Sequence, residues 1–403
     1  MRVLFITGEY PAMQGGVGDY TSQLSRALGA LGVDVHVLTH VDAGGDHLRA
    51  PASAYEPTVY PSIERPGWQL WSIAGQLARE LRPDIVHIQY QPAAYALHGA
   101  VNFLPWRLRL LRPRPRVLTT FHDLRVPYLF PKAGPLRWES VLALAHASDL
   151  DVITNPADWL RMADAGLAAR LRAIPIGSNI SCCSQVGYDR DRQRALWGAG
   201  PEDWLLAYFG FLNASKGGET LIRALAGLVA AGKPARLLMV GGQVGASDPT
   251  NAAYLQRIEA LIDELGLGDR VRRTGFTTDD QVSANLLAAD CAVLPYREGA
   301  SLRHGSLMAA LAHGLPIVST HVPEAIRRAH PERQAFPLPE HGVSALLAPP
   351  DDPAQLAAAV TAVMSDATLR ARLAAAALEL SRQFTWEAIA SRHLEAYREL
   401  GAA

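Results

Sequence analysis

The chain has 403 residues and 43.5 kDa, 49% hydrophobic and 19% charged, enough for two hydrophobic cores and too apolar for a disordered chain. A net charge of -1 and a pI near 6.9 leave no basic excess, so no nucleic-acid partner is expected. Cys182, Cys183 and Cys291 are too few for a disulfide framework, and no apolar run approaches the ~18 residues that span a bilayer, so a cytoplasmic protein is expected.

In chain order, Val3-Leu4-Phe5-Ile6 reads as a buried strand, too short for a signal-peptide core. A glycine loop, Gly15-Gly16-Val17-Gly18, follows. Tyr20, Leu24, Leu28 and Leu31 then recur at helical spacing until Gly32 ends the helix. Val33, Val35 and Val37 alternate as the next strand. Residues 84–89, 117–121 and 151–154 continue a strand-and-helix rhythm that implies βαβ units and a parallel sheet. The rhythm lapses over the polar stretch 184–200. It restarts at 204–210, and further strands are expected at 236–242, 271–275, 291–295 and 316–319. From Asp352-Pro353 the chain is alanine-rich helix, with Asp352 suited to the cap and Pro353 to the first turn. Two Rossmann-like domains fit: 1–180, a crossing at 181–200, then 201–383, with a last helix at 384–403.

Three segments carry anion chemistry. Gly15-Gly16-Val17 sits between a strand and a helix N-terminus, where free amides attract phosphate; a tight turn is the plain alternative. The second strand ends Leu38-Thr39-His40, without the acidic ribose-binding residue that a dinucleotide enzyme needs. Lys216, at another strand-to-helix junction after Gly210, is one of three lysines among 38 cationic residues, which makes an inert surface role less natural. Glu298-Gly-Ala-Ser301-Leu302-Arg303-His304-Gly305-Ser306 opens an apolar helix with a cation and free amides, unless it is an ordinary capped helix. His87 and Tyr90 lie near a strand end that should face ligand, His87 being a core histidine or an acceptor-side residue. Asp149-Leu-Asp151 begins a buried strand and reads as structural, so no metal site is expected. Cys182-Cys183 reads as inert. Trp106 to Arg116 packs five arginines beside a tryptophan, a solvated helix end or an anionic-lipid contact at the inner face of the membrane.

Taken in order, these segments resemble the family-4 glycosyltransferases over nearly the whole chain. That resemblance implies the α/β GT-B fold, two Rossmann-like domains facing an interdomain cleft that binds a nucleotide-sugar. Gly15-Gly16 and Val17 resemble the N-terminal glycine loop at the donor diphosphate. Thr120-Phe121-His122-Asp123 resembles the segment whose histidine faces the transferred sugar. Ile174-Pro-Ile-Gly177 resembles the signature before the crossing. Lys216-Gly217 matches the diphosphate lysine, Gly241-Gly242 and Gly275-Phe276 the nucleotide-side loops, and Phe384-Thr-Trp-Glu387 the start of the last helix.

Two departures stand out. Phe211 occupies the position of the arginine that partners the lysine. The Glu-x7-Glu pair is broken: counted from Glu298 its second member is Ser306, and counted back from Gly314-Leu-Pro the pair is Ser301 and Ala309, the register that keeps the helix length.

The resemblance implies a retaining, metal-independent transfer from a nucleotide-sugar co-substrate (UDP- or GDP-sugar) to an unidentified hydroxyl acceptor, with no cofactor. His122, Lys216 and Arg303 are the expected catalytic residues, Arg303 standing in space for the missing arginine. A GT-B chain that has lost catalysis and serves as a nucleotide-sugar binder or scaffold is the alternative.

Overall fold

The computed structural model describes residues 1–13, 15–44, 48, 53, 55–124, 136–182, 187–242, 249–328 and 336–401. Cys183 and residues 184–186 of the expected crossing lie outside them. The chain divides into two units, Met1–Gly177 with Thr385–Ala403, and Ser178–Phe384.

In the first unit seven strands form one parallel sheet: β1 Arg2–Ile6, β2 Asp34–His40, β3 Thr58–Ile63, β4 Ile85–Tyr90, β5 Arg116–Phe121, β6 Leu150–Ile153 and β7 Leu171–Ala173. Their order is β3-β2-β1-β4-β5-β6-β7, so chain direction across the sheet reverses between β1 and β4. Helix Gly16–Ala30 buries Tyr20, Leu24 and Leu28 against this sheet, and Gly32 follows it in the left-handed region. The last helix, Trp386–Glu399, is capped by Thr385 and packs on Gly16–Ala30, adding Ile389, Ala390 and Tyr397 to the core. Fully burying a side chain such as Leu24, Leu28 or Ile389 contributes about 1.5–3 kcal/mol.

The second unit holds a six-stranded parallel sheet: β8 Trp204–Phe209, β9 Ala235–Val240, β10 Val271–Arg273, β11 Cys291–Leu294, β12 Ile317–Thr320 and β13 Leu346–Ala348. The order is β10-β9-β8-β11-β12-β13, with the reversal between β8 and β11. Near-continuous Val, Leu, Ile and Ala runs suit strands covered on both faces. Asp352 caps helix Pro353–Ser365 by accepting from the Gln355 amide.

The polar stretch expected as a crossing groups with the second unit. It forms helix Arg190–Leu196, whose buried Arg194 reaches Asp290 at 2.8 Å and the Ala288 carbonyl at 3.1 Å. An arginine-anchored helix of seven residues leaves no apolar stripe to read.

In open parallel sheets, ligands gather outside the carboxyl ends of the strands where the order reverses. In the second unit that point lies beside the loops after β8 and β11; in the first, beside the loop after β1.

Candidate active site

In the second unit the loops after β8 and β11 are tied together. Gly210 leaves β8 at φ 115°, facing Ser306. Asn213 caps the short turn Ala214–Lys216, and the Arg297 amide donates to the Ser215 carbonyl at 2.9 Å. Gly217 is required here on steric grounds: its φ is +70°, and a Cβ would overlap the Pro295 carbonyl. This turn delivers Lys216 to the second loop, where its ammonium donates to His304 Nδ1 at 2.7 Å. The His304 ring stacks on Tyr296, centroids 3.8 Å apart, and Tyr296 shares a 2.6 Å hydrogen bond with Ser306 at the start of helix Gly305–Ala312.

Burial pushes the Lys216 ammonium down to about 8, against the pull of Glu298. Burial and the cations Lys216 and Arg303 hold His304 neutral, with a pKa of about 2. Because His304 Nδ1 accepts, its proton sits on Nε2, which is buried and has no hydrogen-bond partner among the described residues. A desolvated cation, an oriented N–H and a helix N-terminus therefore converge where the strand order reverses, which is the chemistry of an anion site.

Arg303 meets Glu298 at 3.8 Å, and its amide is capped by Ser301. The neighbour of Lys216 is thus His304, which takes the near position expected of Arg303. The Leu302 side chain is fully buried, so it packs the core and can meet a donor only through its backbone. Ala309 is likewise buried and offers no carboxylate. Gly241 bridges Gly275 between the strand ends, and a Cβ on Gly242 would press on Phe211 at 3.2 Å. Phe211 and Phe276 are exposed there, 52% and 76%, as bare ring faces.

In the first unit the glycine loop is not an open cradle. The Glu9 carboxylate accepts from the Val17 amide at 2.9 Å and the Gly18 amide at 3.2 Å, capping helix Gly16–Ala30. A Cβ on Gly15 would overlap that carboxyl, whereas Gly16 faces open space. So Gly15 and Val17 serve Glu9, a residue the sequence reading missed; an acid a few residues before a glycine-opened helix was the available signal. Desolvation raises its pKa, and the two amides oppose that.

His122 continues past β5, its amide donating to the Tyr90 carbonyl at 3.0 Å, and its ring is half-buried with a pKa of about 3 from desolvation. Asp123 follows, half-buried. His87 and Tyr90, expected as acceptor-side candidates, are both fully buried. His87 is bonded to Tyr397 and Thr120, and Tyr90 accepts from Asn102, so both are core residues. The parallel sheet is covered on both faces, and their side chains turn into those faces instead of out of the strand end.

Asp149 accepts from Arg114 and the Val117 amide, while Asp151 is fully buried. Cys182 is exposed and Cys291 buried. Of the five arginines near Trp106, Arg114 and Arg116 face Asp149, and Arg109 lies over the indole of Trp106. Among the described residues no helix is long and apolar enough to cross a membrane.

A family model described as Glycosyltransferase Family 4 matches residues 14–180, and one described as Glycosyl transferases group 1 matches residues 204–366. D-inositol 3-phosphate glycosyltransferase of Corynebacterium diphtheriae is 27% identical over 94% of this chain and 88% of its own length. Among solved structures, sucrose-phosphate synthase from Thermosynechococcus elongatus superposes with a TM-score of 0.71 at 23% identity, over 99% of both chains. Anabaena HepE in complex with UDP and glucose superposes with a TM-score of 0.73 at 19% identity, over 99% of this chain and 100% of that one. The first family model falls essentially on the first unit and the second within the second, while the relative and the solved structures match across both.

Proposed function

Because this chain belongs to the family-4 glycosyltransferases, and is a glycosyltransferase of GT-B fold, we propose that it moves a sugar from a UDP-sugar to a hydroxyl acceptor with retention of anomeric configuration. The observation that carries the donor reading is the Lys216–His304 pair beside helix Gly305–Ala312. The UDP and glucose bound by Anabaena HepE support the choice of nucleotide.

In the proposed reaction the bond between the anomeric carbon and the diphosphate oxygen breaks, and the acceptor oxygen bonds to that carbon on the same face. The departing phosphate takes the acceptor's proton. The chain's part is electrostatic. Lys216 neutralises charge developing on the leaving oxygen, the helix amides and His304 Nε2–H donate to the phosphates, and Arg303 exchanges Glu298 for a phosphate oxygen. His122 takes the sugar-facing role. These donors can do the work otherwise given to a divalent cation, so turnover is expected to be metal-independent. Phe211 and Phe276 offer ring faces to the base.

A thermal-shift screen of UDP-, GDP- and ADP-sugars tests this reading. A UDP-sugar should raise Tm by binding the folded state alone, and Lys216→Ala should abolish most of that rise. A folded protein that no nucleotide-sugar stabilises overturns it.

We also propose a peripheral membrane contact, narrower than the arginine run suggested. It rests on Trp68 and Trp106, half-exposed at 55% and 50%, with Trp68 braced by Trp71, His98 and Phe103. Anionic phosphatidylglycerol vesicles should blue-shift the tryptophan emission, and Trp68→Ser with Trp106→Ser should remove the shift. Unchanged emission in wild type rules the contact out.

A further inference from the structure

Behind His122 the first unit contains a buried polar chain that the reaction as described does not use. Gln89 of β4 is fully buried and sits in register with Thr120 of β5. Its side-chain carbonyl lies 2.7 Å from His122 Nε2, and its amide nitrogen lies 3.0 Å from His87 Nε2. Thr120 Oγ1 approaches the same His87 nitrogen at 2.7 Å, and His87 Nδ1 lies 2.7 Å from the Tyr397 hydroxyl on the last helix.

Proton positions follow in sequence. The Gln89 amide donates to His87 Nε2, so that nitrogen is bare and His87 carries its proton on Nδ1, which donates to Tyr397. The Gln89 carbonyl can only accept, so His122 carries its proton on Nε2. His122 Nδ1 is then a lone pair, and no described residue bonds to it. Two further contacts hold the arrangement: Tyr20 packs edge-on against His122 at 4.6 Å, and the Tyr95 hydroxyl donates to the Gln89 backbone carbonyl at 3.2 Å.

We propose that Gln89 is a positioning residue: it holds His122 as the Nε2–H tautomer, so that Nδ1 accepts a hydrogen bond from a hydroxyl of the transferred sugar. The role of the sugar rests on the function proposed above; the tautomer does not. The opposite tautomer would present an N–H to that hydroxyl, which could then be met only as an acceptor. Tyr397 gives the last helix a part in this arrangement, since its oxygen receives the proton that fixes His87.

Two measurements separate these levels. Long-range ¹H–¹⁵N spectra of histidine-labelled resting protein, assigned by loss of signal in His122→Ala, should show His122 with a protonated Nε2 and a bare Nδ1. A protonated Nδ1 in wild type overturns the proposal whatever the activity. For turnover, the probe is hydrolysis of UDP-glucose. Gln89→Met should lower kcat by about 10- to 100-fold, the scale known for losing the second-nitrogen partner of a histidine at metal sites, while UDP alone binds as in wild type. Gln89→Glu keeps an acceptor on Nε2–H and should restore kcat at alkaline pH. Its carboxylate also favours protonated His122, so the acid limb of the kcat profile should move upward, because His122⁺ has no lone pair. Unchanged kcat in folded Gln89→Met overturns the proposal. If Gln89→Met does not fold, the wild-type spectrum and Gln89→Glu still decide. A wild type that hydrolyses no nucleotide-sugar yet shows the Nε2–H tautomer refutes the function and leaves the tautomer standing.

Discussion

At Lys216 burial and function pull in opposite directions, since the proposed role needs the ammonium that burial disfavours. The ammonium is charged below about pH 8 and loses its proton as pH rises through that value, because desolvation disfavours the charged form. For UDP-glucose, kcat/KM should therefore fall on the alkaline side with a midpoint near 8, since that ratio reports the free enzyme. Lys216→Arg should flatten the alkaline limb at a lower plateau, because the guanidinium stays charged; a limb unmoved by that change would assign it elsewhere. Asp151 carries a second pH effect. Burial raises its pKa well above the usual carboxylate value, with Arg170 opposing. The folded state thus holds a proton that the unfolded state releases, and stability is lost as pH rises from the unfolded pKa through the folded one. Asp151→Asn, neutral and similar in shape, should raise Tm more at pH 8 than at pH 5; an equal gain at both would show that the carboxyl does not titrate in that window. Lys216 was legible because lysine is scarce in this chain. Glu9, Gln89 and His304's hold on Lys216 were not, since each depends on which way a side chain turns from its backbone.

Among the elements, the turn around Gly217 is the most constrained. Its positive φ and the Pro295 carbonyl at its back make Gly217→Ala destabilising by more than about 2 kcal/mol, to be read by urea unfolding. Gly16→Ala, which faces open space, should cost far less. The alternation of apolar strands with helices made most of both sheets readable. Three strands escaped for separate reasons. β3 contains Pro61, which argues against a strand but is tolerated at the sheet's edge, where β3 lies. β7 and β13 have three residues each, too few to show a period. Helix Arg190–Leu196 escaped because its anchor is an arginine. The cap at Asp352 read well, because chemistry and spacing coincide there, whereas the cap at Thr385 was not read.

For the molecule as a whole, the central claim is that a glycosyltransferase of this family works here with Lys216 in place and the family's partner arginine replaced by Phe211. Arg303→Ala then separates two arrangements. A fall in turnover comparable to that of Lys216→Ala gives Arg303 the second phosphate charge, and wild-type turnover leaves the second phosphate contact to the neutral His304 Nε2–H, as a hydrogen-bond donor. The same charges should make turnover survive EDTA; activity lost in EDTA and restored by Mg²⁺ or Mn²⁺ would contradict that. The most direct measurement is UDP release from UDP-glucose by the purified protein, wild type beside Lys216→Ala at pH 7. The account predicts turnover in wild type and a fall of about 10²- to 10³-fold in a variant that still folds, the scale of a lost preorganised transition-state donor. Equal rates in the two proteins would contradict it.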